Sequence, residues 1–137
     1  GDVDFLSIVS GTNPPDLATN VPLQANFQWT FSDPGDTRIK FVEFAIECVN
    51  AIANYCGADE VVWTIHIQVQ SPFQTSFTLP DLSGTTRKPA HLGMRNGTEY
   101  RWRVAGSSFD LSAVIQGKDP DFFVESGTDG YRFDTAP

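Results

Sequence analysis

The sequence is short of several residue types. It has two cysteines, two histidines, one methionine and nine basic residues in 137. Two cysteines without a further Cys or His pair do not make the four-ligand site that structural zinc requires. The histidines are His66, on the polar side of an alternating segment, and His91, in a proline-containing stretch. Neither lies near a Ser or Cys by local spacing, and no Gly-x-Ser-x-Gly elbow occurs, so no nucleophilic triad is recognisable. The adjacent carboxylates Asp59 and Glu60 fall at a turn, and nothing marks them as an acid–base pair. Seventeen acidic residues against nine basic ones give a formal net charge of −8. Such a field repels nucleic-acid backbones and anionic membranes, which excludes both as expected partners. No apolar run reaches the ~18 residues of a membrane-spanning helix. Convincing helical periodicity, internal repeats and low-complexity tracts are also missing. The opening GDVDFLSIVSG has no initiator Met, basic n-region or cleavage site, and reads as a mature product or excised module without a signal peptide.

What is present is a strand-forming chain. Apolar residues make up 40%, with eleven Phe, three Trp and three Tyr; nine Pro and eleven Gly punctuate it. Period-two alternation recurs. In PLQANFQWTF, Leu23, Ala25, Phe27, Trp29 and Phe31 share one face. In RIKFVEFAIECV, Val42, Phe44, Ile46 and Cys48 do so, and in VVWTIHIQVQ, Trp63, Ile65, Ile67 and Val69. FQTSFTLP places Phe73, Thr75, Phe77 and Leu79 together. In EYRWRVAG, Tyr100, Trp102 and Val104 face inward while Arg101 and Arg103 face water, so the stretch reads as a core strand and not as a nucleic-acid stripe. DFLSIVSG supplies a first strand with Leu6 and Ile8 inward, and GYRFDT a last one with Tyr131 and Phe133 inward. Seven strands are predicted, at roughly 4–10, 22–32, 38–48, 61–70, 73–79, 98–107 and 130–135. The expected fold is all-β, a single seven-stranded antiparallel β-sandwich over residues 1–137. Two connections, 80–97 and 108–129, exceed what a sandwich needs, and loops of that length are usually functional or disordered.

Several residues are candidates for chemistry. Cys48 and Cys56, with seven residues between them, are expected to form a disulfide; the competing reading is two separate buried thiols. Closing so short a loop stabilises by about 2–3 kcal/mol on the chain-entropy model and implies an oxidising compartment. CVNAIANYC between them has room for one helical turn. The Asp-Pro turns holding Asp33 and Asp36, and Asp119 and Asp121, form a candidate calcium site that would need Asp129 or backbone oxygens to complete it, against ordinary turn chemistry. Calcium is the only candidate cofactor. Phe109, Phe122 and Phe123, with Tyr55 as a neighbour, form either a docking or glycan-binding platform or a satellite core cluster. Asn96-Gly97-Thr98 fits a glycosylation sequon and is also a favoured turn.

Four stretches, taken in order, resemble fibronectin type III and related immunoglobulin-like modules of bacteria. FQWTFSDPGDT resembles the second strand with its core Trp29 and the turn that follows. TSFTLPDL resembles the strand that ends in a Leu-Pro-x-Leu corner. NGTEYRWRV resembles the sixth strand, and YRFDTAP the terminal strand and exit. The resemblance spans residues 14–137. It implies that Trp29, Tyr100 and Trp102 are core residues, and that the Tyr100 hydroxyl bonds back to the upstream chain. The Cys48–Cys56 loop and the long 108–129 connection, between the last two strands, depart from the family pattern. Such modules are mostly spacers, adhesive units or accessory domains of secreted and cell-surface proteins and are seldom catalytic. The implied function is therefore a non-catalytic extracellular module whose partners are neighbouring domains or surface proteins. Glycan binding through the long loops is the alternative.

Overall fold

Alternating segments stay in water only if each covers its apolar side with another sheet. The computed structural model shows how this chain does so; it describes residues 7–68, 73–80, 94–108, 125–127 (backbone path only) and 130–137. Nine strands run along them: β1 (Val9–Asn13), β2 (Ala18–Val21), β3 (Asn26–Phe31), β4 (Phe41–Cys48), β5 (Val61–Gln68), β6 (Ser76–Thr78), β7 (Glu99–Ser107), β8 (Glu125–Gly127) and β9 (Tyr131–Thr135). No helix occurs among the described residues. One sheet has the order β1-β3-β6. The other has the order β2-β9-β7-β4-β5, with β8 pairing β7 beyond the end of β9. All pairs are antiparallel except β2 with β9.

The two sheets close on an aromatic core. Phe27 of β3 meets Phe44, Trp102 and Phe133 of the opposite sheet, with ring centroids 4.9, 5.2 and 5.8 Å apart in edge-on geometry. That arrangement satisfies the ring quadrupoles as well as burying area. Both core indoles find acceptors: Trp29 Nε1 donates to the Gln74 carbonyl at 2.9 Å and Trp102 Nε1 to the Pro14 carbonyl at 3.0 Å. Pro14 lies where the chain leaves β1 for β2 and so changes sheets. Trp29, Tyr100 and Trp102 are all buried.

The strand pattern departs from expectation in four places. Nine strands stand among the described residues where seven were predicted; the additions are β2, and β8 within the 108–129 connection. The first strand is later and in the opposite register: Ile8 is 52% exposed, while Val9, paired with Phe31, is fully buried. Leu6 lies outside the described residues. The loop between the cysteines makes no helical turn. Instead Ile52 and Cys56 form an antiparallel bridge around Asn54 at φ 61°. Finally, the second predicted strand begins at Asn26 and not at residue 22, because Pro22–Ala25 is a turn closed by the Ala25 N–H on the Pro22 carbonyl.

Candidate functional site

The described chain enters at one pole of the sandwich and leaves at the other. Ser7 sits against the turn after β3, where its N–H donates to Asp36 Oδ2 at 2.8 Å. At the far end Ala136 donates to the Val21 carbonyl, and Gly97 donates to the Ala136 carbonyl. β7 and β4 span the distance, since Cys48 faces Tyr100 at one end and Phe41 faces Ser107 at the other.

At the first pole Asp33 and Asp36 are brought together with different duties. Asp33 Oδ1 accepts from the Gly35 N–H at 3.0 Å, which is local turn chemistry. Asp36 is buried and both of its oxygens are engaged. The Arg38 guanidinium donates to Oδ1 at 2.9 Å and to Oδ2 at 2.8 Å, and the backbone N–H groups of Arg38 and Ser7 add to these. The Arg38 side chain, helped by those two N–H groups and against the effect of burial, holds the Asp36 carboxyl well below the usual carboxylate range. A hard cation would have to displace Arg38 to reach it. Asp119, Asp121 and Asp129 lie outside the described residues. Among the described residues no three His, Cys, Asp or Glu side chains gather around a common point.

The opposite pole is built by the cysteine loop. Cys48 and Cys56 form a disulfide, which bends residues 49–55 back over the end of the core. This delivers Tyr55 against Tyr100, with the hydroxyls 2.8 Å apart. The Tyr100 hydroxyl also accepts from the Arg95 N–H at 2.7 Å, five residues upstream. The Arg95 guanidinium lies over the Tyr55 ring, 4.0 Å from its centroid. Burial, together with the bond to Tyr100, pushes the Tyr55 phenol far above its ordinary value of 10.0. The Tyr55 hydroxyl therefore keeps its proton near neutrality, and the arrangement braces the pole. The role of Arg95 left no signal in the sequence, because it depends on a loop that starts 47 positions earlier, at Cys48.

The outer face of the larger sheet carries paired polar side chains. Arg101 Nη1 reaches Glu47 at 2.9 Å and Asp59 at 3.5 Å, His66 Nε2 lies 3.4 Å from Glu43, and Arg132 lies 3.9 Å from Glu99. Asp59 and Glu60 sit in the turn after the cysteine loop, Glu60 accepting from the Gly57 N–H. Asn96 is exposed in a turn with Gly97 at φ 60°. A shallow groove of about 140 Å³, lined by Leu17, Ala18, Glu99, Arg132, Phe133 and Asp134, falls short of the ~300–1,000 Å³ of ligand pockets. Phe109, Phe122, Phe123 and His91 lie outside the described residues. No helix among the described residues is long and apolar enough to cross a membrane.

Together these features define a class: an all-β protein of two packed sheets, braced at one pole by a disulfide and at the other by the buried Asp36 paired with a partly exposed Arg38. No protein-family model matches the chain, and no curated protein matches it.

Proposed function

We propose that the chain is a non-catalytic, fibronectin type III-like module of a secreted or cell-surface protein, acting as a spacer or docking unit between neighbouring domains. The observation that carries the reading is the placement of Ser7, bonded to Asp36, and of Ala136, bonded to Val21 and Gly97, at opposite poles of the described sandwich. Several features support it further. The sheet orders β1-β3-β6 and β2-β9-β7-β4-β5 suit such a module, and so does the Tyr100–Arg95 bond. A disulfide suits an oxidising, extracellular setting. Three ionisable groups near the poles are committed to structural contacts: Asp36 to Arg38, Glu47 to Arg101 and Tyr55 to Tyr100. Fold alone does not assign function, so the test must be direct.

Two copies joined end to end are expected to scatter X-rays as an extended rod. One copy adds roughly 30 Å along the strands, the span of the nine-residue β7 at about 3.3 Å per residue. A collapsed, folded-back pair would refute the spacer reading. A broad glycan screen is expected to stay blank. Saturable glycan binding lost on Phe122→Ala or Phe123→Ala would establish the carbohydrate-binding alternative, and turnover surviving repurification would establish an enzyme.

A further inference from the structure

β5 is an eight-residue edge strand, and no described strand pairs with its outer side. Natural edge strands are usually protected by charge, proline, brevity or a bulge. Val-Val-Trp-Thr-Ile-His-Ile-Gln has no Lys, Arg, Asp, Glu, Pro or Gly. The one irregularity lies at its start, where the register with β4 slips between the pairs Glu47↔Val61 and Ile46↔Trp63. From Trp63 to Gln68 the ladder is regular. The three-stranded sheet is narrower than the one it covers, and the inward residues Trp63, Ile65 and Ile67 are only half-buried. A partner strand would complete that seam.

We propose that β5 pairs antiparallel, edge to edge, with β5 of a second copy of this chain. Charge selects the occupant. The molecule carries a formal net charge of −8, which opposes self-association over most of its surface. Along β5 that charge is missing, and of the nearest carboxylates on β4 Glu47 is paired with Arg101 while Glu43 lies 3.4 Å from the His66 imidazole. A strand that fits here must be uncharged and alternate in the same way, and β5 itself does both. The strand's regular stretch sets the register. A two-fold axis through Ile65 places Trp63 opposite Ile67 on the inner side and Thr64 opposite His66 on the outer side, so each contact is made twice. Aromatic against β-branched is a favourable cross-strand pairing, and no like charges face each other. The product is one sheet continuous through two copies.

The test is sedimentation of the full chain from about 1 µM to 1 mM, with folding of every variant checked by circular dichroism. The wild type is expected to shift from monomer to dimer with concentration. Thr64 is exposed, so Thr64→Lys should keep the fold yet stay monomeric throughout. The register has its own readout. Across the two-fold axis the Ile65 Cα atoms come about 4.5–5.5 Å apart, within disulfide reach, whereas those of Thr64 stand roughly 8 Å apart, outside it. Ile65→Cys should therefore cross-link to itself under mild oxidation and Thr64→Cys should not. A wild type monomeric at 1 mM would overturn the proposal, and so would a Thr64→Lys variant that dimerises like it. Equal cross-linking of both cysteine variants would also overturn it.

Discussion

Replacing Gly11 by alanine puts a methyl group where β1 lies directly on two aromatic rings. A Cβ built there would stand 2.5 Å from Tyr131 Cε2 and 2.7 Å from Trp102 Cζ2, and closer still to Trp102 Cη2. Neither ring can easily retreat. Trp102 is fully buried, held by its indole bond to Pro14 and packed at a 36° tilt with its ring centroid 5.0 Å from that of Tyr131. Tyr131 is itself tied to this glycine, since its hydroxyl accepts the Gly11 N–H at 2.9 Å. Overpacking of this kind costs about 1–3 kcal/mol. Against it, alanine reduces the entropy of the unfolded chain, worth about 0.4–1 kcal/mol. The net is a loss of about 1–2 kcal/mol, or a Tm roughly 3–10 °C lower for a domain of this size. Gly35 provides the control: a Cβ there meets only Asp33 Oδ1, at an ordinary 3.5 Å. Gly35→Ala should therefore be neutral or stabilising by less than about 1 kcal/mol. Urea denaturation of the two variants beside the wild type decides the matter. A Gly11→Ala protein as stable as Gly35→Ala would mean that β1 does not rest on Trp102 and Tyr131 as described.

Three further outcomes are expected. Reducing the Cys48–Cys56 disulfide, or changing both residues to Ser, should lower the unfolding free energy by about 2.5 kcal/mol, the closure entropy of an eight-residue loop, visible as an earlier urea midpoint. Tyr100→Phe removes the bonds to the Arg95 N–H and the Tyr55 hydroxyl and should cost about 1–3 kcal/mol; combined with Tyr55→Phe the losses should be less than additive, which a double-mutant cycle measures. The folded-state pKa of Asp36 lies below its ordinary value of 3.8, so its contribution is fully present above that pH and is lost as pH falls below it. Asp36→Asn should therefore flatten the fall in stability between about pH 4 and pH 2, measured by urea unfolding at each pH; an unchanged slope would deny the Arg38–Asp36 pairing its role.

How far the fold could be read depended on where a strand sits. β3, β4 and β7 lie inside their sheets, so one face of each must be apolar, and the alternation Phe27-Trp29-Phe31, Val42-Phe44-Ile46 and Tyr100-Trp102-Val104 is that requirement written out. Ile8 and Val9 are adjacent and both apolar, so local pattern allows either register; pairing with Phe31 selected Val9. β2 has one buried residue, Val21, and its parallel pairing with β9 joins segments more than a hundred residues apart, which leaves no local trace. The candidate sites divide in the same way. Asp33 and Asp36 look alike as turn residues, but only Asp36 is reached by the Ser7 backbone, 29 positions away, and becomes the buried anchor.

What the sequence determined alone was the choice of secondary structure and, for most strands, which side turns inward. Both follow from side-chain spacing, a property of neighbouring residues. Which strand lies beside which, that no described strand covers the outer edge of β5, and that Tyr55 meets Tyr100 beneath Arg95 were decided only in three dimensions. Backbone hydrogen bonds are blind to residue identity, so the partner of a strand is chosen by the packing of the whole core and by the routes its connections can take.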